Sequence, residues 1–170
     1  MPEEATKRRA QQAKARGKSA STQAGEFVRE EIHHVREGKH GARSAKQAIA
    51  IGLSKARKAG VGLPPPKRGT TSEKTRKSAE RAYARGHGAP PRQASSPARK
   101  RAGLRALKRE GHSAVSARAL SEHAQDAASR RTPRERSTAA QKAVRTKGRA
   151  GRKTAAKKAA RTRAAHERSA

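Results

Sequence analysis

The scarcity of large apolar side chains is the feature that most constrains what this chain can fold into. Leucine, isoleucine, valine and phenylalanine supply only 14 of the 170 residues, whereas lysine and arginine supply 44 and the formal net charge is +31. Ordering one residue costs about 1–2 kcal/mol of conformational entropy, and so little apolar surface rarely offsets it. The composition therefore predicts an all-α chain that is mostly disordered, with one small core.

That core is expected in residues 26–60, where half of the 14 large apolar residues lie. Apolar residues recur there at helical spacing, which predicts one helix over about 26–37 and a second over about 44–59. Glycines in the turn between them complete an αα-hairpin, and Ser44 is the expected N-cap of the second helix. The predicted core of the hairpin consists of Val28, Ile32, Val35, Ile49 and Leu53.

The rest of the chain is expected to flank the hairpin as flexible basic segments. Residues 1–25 form a predicted disordered arm, and the three consecutive prolines in 61–71 indicate a linker. Residues 72–131 contain helix-capable basic blocks, interrupted by a second linker at 86–97. Residues 132–170 form a low-complexity Lys/Ala/Arg tail.

The tail contains an internal repeat with an offset of 16 residues. Residues 136–148, "RSTAAQKAVRTKG", and residues 152–164, "RKTAAKKAARTRA", are identical at eight of thirteen positions. Alanine, lysine and arginine favour helix, but repulsion between like charges opposes it. We expect this tail to be coil alone and partly helical on a polyanion.

The charge predicts a polyanionic partner, with DNA as the first candidate and RNA as a further one. No apolar run is long enough to span a bilayer. Phe27 and Tyr83 are too few for an aromatic platform that stacks single-stranded bases, so contact with the phosphates of a duplex is favoured. The predicted phosphate-binding residues in the hairpin are Lys39, Arg43, Lys46, Lys55, Arg57 and Lys58. Those in the tail are Lys142, Arg145, Lys147, Arg149, Arg152, Lys153, Lys157, Lys158, Arg161 and Arg163.

Other chemistry finds little support in the sequence. The scattered acids and histidines form no catalytic constellation, and no phosphate-binding glycine loop or cysteine is present, so no enzymatic activity and no cofactor are expected. The densest histidine group is His33, His34 and His40, but the rings of adjacent residues diverge on a helix, and we predict no metal site. Ile51 points away from the predicted core, so it is either a partly exposed isoleucine or part of a second surface, for a protein partner or for self-association.

Residues 26–60 also resemble a bacterial family of uncharacterised small basic proteins. The resemblance rests on "VREGK" at 35–39 and above all on "SAKQAIAIGLSKARKAG" at 44–60, and members are often labelled DNA-binding or plasmid-stabilisation proteins. The segments 105–124 and 142–148 resemble tails of the same group, which are similar to the Lys/Ala-rich bacterial proteins that resemble eukaryotic histone H1. The resemblance implies a bacterial, cytoplasmic and nucleoid-associated setting.

These observations lead to one leading hypothesis and two alternatives. The leading hypothesis is an architectural, histone-H1-like protein that neutralises and bridges duplex DNA without reading its sequence. The first alternative is a protein-interaction or plasmid-maintenance module, similar to an antitoxin, whose basic tails only localise it. The second alternative is an RNA- or ribosome-associated basic protein.

Overall fold

The computed structural model of the protein describes residues 2–90 and 96–168, and within them the chain is almost entirely helical. Seven α-helices and one 3-10 helix follow one another along these residues. In chain order the α-helices are α1 (Glu4–Ala15), α2 (Ala20–Arg36), α3 (Ala45–Lys58), α4 (Glu73–Gly86), α5 (Pro97–Arg109), α6 (Ala117–Ser129) and α7 (Pro133–Arg168). The 3-10 helix is Ser113–Val115.

The prediction of a mostly disordered chain around a lone two-helix hairpin was therefore wrong. The two hairpin helices exist as α2 and α3, and Ser44 caps α3 as predicted, its hydroxyl accepting from the Gln47 amide at 3.2 Å. However, α2 begins at Ala20, six residues before the expected start, and its N-cap is Ser19. The arm expected to be disordered contains α1, which buries Thr6 against α2.

The helices hold together with few large side chains because α2 and α3 pack through small residues. On α3 the buried positions include Ala48, Gly52 and Ala56, which lie on one face. A Cβ atom at Gly52 would lie only 2.7 Å from the Cα of Val28. The two backbones are thus in direct contact, and dispersion between main-chain atoms replaces much of what large side chains usually contribute.

This close approach changes which face of α2 is buried. The expected stripe consisted of Val28, Ile32 and Val35, but only Val35 is fully buried, and the other two are half-exposed, as are Ile49 and Leu53 of α3. The observed buried stripe of α2 consists of Phe27, Glu31 and Val35. It begins one residue before the expected stripe, which corresponds to a rotation of about 100° around the helix axis. Phe27 forms the centre of a cluster with Ala10, Ala24, Ala56 and Val61.

Helix α4 packs on the C-terminal half of α3. Its buried residues are Ala79 and Ala82, again small side chains. At its end, Gly86 approaches α3 so closely that a Cβ there would collide with the carbonyl oxygen of Arg57. Arg57 itself is buried and donates to the carbonyl oxygens of Leu63 (3.2 Å) and Pro64 (3.3 Å), which ties the proline-rich segment to α3.

A distant segment returns to cover the other end of the α2–α3 pair. Val115 is fully buried in a second cluster with Val35, Ala42 and Ala48. Arg36 donates to the carbonyl oxygen of Val115 through Nε (3.1 Å) and Nη2 (3.0 Å). Main-chain hydrogen bonds add to this contact, for example from the Ala42 amide to the Gly111 carbonyl at 3.0 Å.

The chain divides into two compact units, the first reaching to His123 and the second beginning at Ala124. In the second unit almost every described residue of α7 is exposed. The helix is interrupted at Gly148 (φ 61°, ψ −177°), the last residue of the first repeat copy, so each copy forms its own helical segment. The expectation that this tail is coil in the absence of a polyanion was therefore wrong. Among the described residues, no helix has the length and apolarity needed to cross a membrane.

The contact at Gly52 predicts opposite effects for two glycine-to-alanine substitutions. Gly52→Ala is expected to lower the free energy of unfolding by about 1–2 kcal/mol, because overpacking outweighs the gain in helix propensity. Gly25→Ala, on the neighbouring helix with nothing within 4 Å of the added Cβ, is the matched control and should raise it by about 0.5–1 kcal/mol. Urea unfolding followed by circular dichroism measures both, and equal midpoints would contradict the close packing.

Candidate nucleic-acid interface

An open groove in the first unit runs between α1, α3 and α4 and carries four cationic side chains. They are Lys7 on α1, Lys55 and Lys58 on α3, and Arg85 on α4. None of the described residues that line the groove carries a carboxylate. The remaining lining residues are Pro2, Ala50, Ile51, Ser54, Ala59, Ser78 and Gly86.

Helical spacing and one glycine explain why the cations of α3 and α4 meet. Lys55 and Lys58 lie three residues apart in the last turns of α3, so they share a face. The close approach of Gly86 to Arg57 brings the C-terminal end of α4 onto the same end of α3. Arg85, next to Gly86, therefore lies beside Lys58 across the groove.

The pair formed by Lys58 and Arg85 gives the groove its electrostatic character. Burial and, secondly, the nearby positive charge of Arg85 lower the pKa of Lys58 from its ordinary value. In residues 2–90 and 96–168, neither side chain has a carboxylate within ion-pair distance. Two cations that repel each other without a counter-charge form a site that an anion stabilises.

The other two groove cations are already partly neutralised. Lys7 pairs with Glu4 at 2.6 Å, and Lys55 pairs with the buried Glu31 at 2.7 Å. An arriving phosphate would compete with these carboxylates, so we expect Lys58 and Arg85 to contribute most.

The structure places the predicted hairpin cations in different environments. Lys46 is exposed, and no carboxylate among the described residues lies within ion-pair distance of it. Lys39 pairs with Glu37 (3.1 Å), and Arg43 lies 3.5 Å from Glu110, both at the surface. The guanidinium of Arg57 is occupied by two carbonyl groups, so its geometry corresponds to a structural role.

Sequence analysis missed Arg85, the residue that completes the groove. It lies in a block expected only to be helix-capable, with no expected contact to the hairpin. The one local signal is Gly86, since a glycine at the end of a helix permits close approach to another backbone. The glycine alone does not indicate which helix is approached or which face of α4 makes the contact.

The predicted tail cations are exposed without exception. Four precede Gly151 and six follow it, so both repeat copies present them. Within the second unit, α7 offers a continuous supply of positive charge along its surface. The residues are Lys142, Arg145, Lys147, Arg149, Arg152, Lys153, Lys157, Lys158, Arg161 and Arg163.

The two aromatic rings are not available for stacking on bases. Phe27 is only 1% exposed. Tyr83 is half-buried and stacks on His87, with the ring centroids 3.9 Å apart and the planes 15° from parallel.

Comparison with known proteins shows a local similarity to one family and indicates no activity. The sequence model of a family of unknown function (DUF6496) matches residues 11–68. The matched region contains α2, α3 and the proline-rich segment, and it includes Lys55 and Lys58 but not Arg85. No curated protein and no solved structure is detectably similar to the chain. The family's description names no ligand, so nucleic-acid binding stays a prediction.

The electrostatics of the groove predict how Lys58 titrates. Arg85→Gln removes one of the two causes that depress the pKa of Lys58, so that pKa should rise toward its ordinary value. Lys74→Gln removes the same charge at the opposite end of α4 and should leave the pKa of Lys58 unchanged. NMR titration of the lysine Cε resonances measures both. An unaltered Lys58 in Arg85→Gln would show that the two cations do not face each other.

Proposed function

We propose that this protein binds duplex DNA through its phosphate backbone and acts as an architectural, nucleoid-associated protein of bacteria. The observation that carries the proposal is the groove with four cationic side chains and no lining carboxylate. The exposed basic surface of α7 supplies further phosphate contacts and allows one molecule to neutralise and bridge DNA.

The driving force would be the release of condensed counterions. Each lysine or arginine that neutralises a phosphate makes the slope of log K against log salt concentration more negative by about 0.9. Lys58 and Arg85 should be favourable contacts, because an anion between them also relieves their mutual repulsion. Binding should therefore weaken steeply as salt is added.

Binding without sequence preference is the form of recognition that the groove supports. Its lining contains no asparagine or glutamine, the residues that read adenine edges, and its polar uncharged side chains are Ser54 and Ser78. Lysine contacts phosphate as a point charge and does not discriminate between bases. Two unrelated duplexes should thus bind alike.

A second candidate function is protein binding in the same groove. Ile51, singled out in the sequence as a second surface, is half-buried and lines the groove together with Ala50 and Ala59. An acidic peptide with an apolar anchor would match this lining. Ile51→Ser should weaken such a peptide contact but leave phosphate-driven DNA binding almost unchanged.

The decisive variant is the double substitution Lys58→Gln/Arg85→Gln in the full chain. If both side chains contact phosphates, the slope of log K against log salt concentration should become shallower by about 1.8. If the variant and the parent bind equally at about 1 M salt, the variant should then bind on the order of fiftyfold more weakly at about 0.1 M salt. Lys100→Gln/Arg105→Gln removes the same charges from exposed positions on α5 and should have a much smaller effect. Fluorescence anisotropy with two unrelated DNA duplexes and one RNA duplex, at several salt concentrations, measures each slope.

Three results would contradict parts of the proposal. Equal losses in both double variants would mean that diffuse charge, and not the groove, determines affinity. Tighter binding to the RNA duplex than to both DNA duplexes would favour the RNA alternative. An affinity that stays constant between about 50 and 300 mM salt would overturn phosphate binding altogether.

A further inference from the structure

A buried cluster of Glu31, His34 and His40 lies away from the lining of the basic groove. One potential ligand atom from each of the three side chains lies within 4.8 Å of the others. Glu31 is fully buried, and the side chains of His34 and His40 are only 11% and 12% exposed. Such a group of carboxylate and imidazole ligands is unusual in a chain so poor in acids.

Two elements bring the cluster together. Glu31 and His34 are one turn apart on α2, a Glu-x-x-His arrangement in which both side chains project to the same face. His40 comes from the turn after α2, which the amide of Gly41 fastens by donating to the Leu107 carbonyl at 2.9 Å. The expectation of no metal site considered the adjacent pair His33 and His34, whereas the fold joins His34 with His40, whose ring centroids are 6.3 Å apart.

The hydrogen bond of His40 leaves its second nitrogen without a proton when the ring is neutral. Nδ1 lies 3.1 Å from the carbonyl oxygen of Gly41, which can only accept, so Nδ1 is the donor. The lone pair of Nε2 then faces Oε1 of Glu31 at 3.3 Å. Two atoms whose lone pairs face each other repel, and a cation bound by both atoms removes this repulsion.

The carboxylate of Glu31 is poorly satisfied for a buried charge. Neither of its oxygens accepts a hydrogen bond of good geometry from any described residue. The ammonium group of Lys55 approaches Oε2 at 2.7 Å, and on the Oε1 side the near group is His40. Lys55 neutralises the Oε2 side of this buried carboxylate, so Oε1 is the oxygen that remains available to a second cation.

We propose that Glu31, His34 and His40 form a binding site for a divalent transition-metal ion of the Zn²⁺ type. Zinc binds imidazole nitrogen and carboxylate oxygen at about 2.0–2.2 Å in tetrahedral geometry, which puts neighbouring ligand atoms roughly 3.3 Å apart. The distance of 3.3 Å between Glu31 Oε1 and His40 Nε2 has that value. His34 Nε2 now contacts Glu3 at 2.9 Å and would turn to the metal, with Glu3 next to the fourth position.

The surrounding charges and hydrogen bonds fit this assignment. The nearby carboxylates of Glu3, Glu30, Glu31 and Glu37 exceed the ammonium groups of Lys39 and Lys55 by two charges. Lys55 on Oε2 would hold the ligating carboxylate, and the Gly41 carbonyl would hold the His40 ring, as outer partners of metal ligands commonly do. Imidazole ligands select Zn²⁺, Co²⁺ or Ni²⁺ over Ca²⁺ and Mg²⁺.

The site would fasten the turn after α2 to the helix itself. Since a metal that binds only the folded state stabilises that state, Zn²⁺ should raise the thermal midpoint of unfolding. The inference does not rest on DNA binding, because none of the three ligands lines the basic groove. Its failure would leave that proposal untouched.

Titration of the metal-free, full-length protein with Zn²⁺ by calorimetry, and with Co²⁺ by visible absorption, tests the site. We expect one site with a dissociation constant of about 1 μM or below, and a thermal midpoint that rises with Zn²⁺ and falls again with a chelator. His34→Gln and His40→Gln should each weaken binding by about a hundredfold or more. The matched control is His33→Gln, whose side chain is 68% exposed and pairs with Glu37, and it should bind like the parent.

Circular dichroism of each variant shows whether it remains helical. Should His40→Gln unfold, the parent protein still decides, because a tetrahedral Co²⁺ site with mixed nitrogen and oxygen ligands has a distinctive visible spectrum that Zn²⁺ abolishes. Absence of stoichiometric Zn²⁺ binding by the parent would overturn the proposal. So would an equal loss of affinity in His33→Gln, or unchanged affinity in a folded His34→Gln/His40→Gln variant.

Discussion

The contact of the α3 backbone with the α2 backbone at Gly52 is the constraint on which the first unit depends. With 14 large apolar residues, the chain cannot fill wide spaces between helices, so its helices must approach until small side chains suffice. Gly52 on Val28, and Gly86 on Arg57, are two places where a Cβ atom would collide with the backbone of the neighbouring helix. The second contact follows from the first, because α4 packs on the face of α3 that α2 leaves uncovered. The basic groove is the space that remains between these elements and α1.

The same approach accounts for the buried charge of Glu31. When α3 lies over the backbone at Val28, the stripe of α2 that turns inward is Phe27, Glu31 and Val35. A glutamate in the middle of a core requires a counter-charge, and Lys55 supplies it from α3 at 2.7 Å. Replacing Lys55 by a neutral residue would remove the closest cation from this buried carboxylate, which is more destabilising than losing a surface pair. The ion pair therefore belongs to the fold as much as the apolar clusters do.

Local sequence signals predicted α3 and its cap correctly, but not the further helices or the long-range contacts. The cap at Ser44 and the extent of α3 follow from a hydroxyl and an apolar period that the sequence displays directly. The prediction of disorder failed because it counted only large apolar side chains. The small residues Ala48, Gly52 and Ala56 also stabilise the fold, by an amount that depends on how closely the neighbouring backbone approaches. Likewise, the partnership of Lys58 with Arg85 depends on the position of α4, and that of His34 with His40 depends on the path of a turn. Neither residue spacing nor composition encodes these distances.

Lys55 connects the interior of the unit with its basic surface. Its ammonium group contacts Glu31 and Glu30, while its side chain lines the groove beside Lys58. The more strongly Glu31 holds Lys55, the less of its charge is available to a phosphate in the groove. A cation bound at Oε1 of Glu31 would weaken that hold, and by reciprocity a phosphate that draws Lys55 outward would make Glu31 a better ligand for a cation. A single lysine thus connects the two sites, because its ammonium group contacts the carboxylate of Glu31 while its side chain lines the groove.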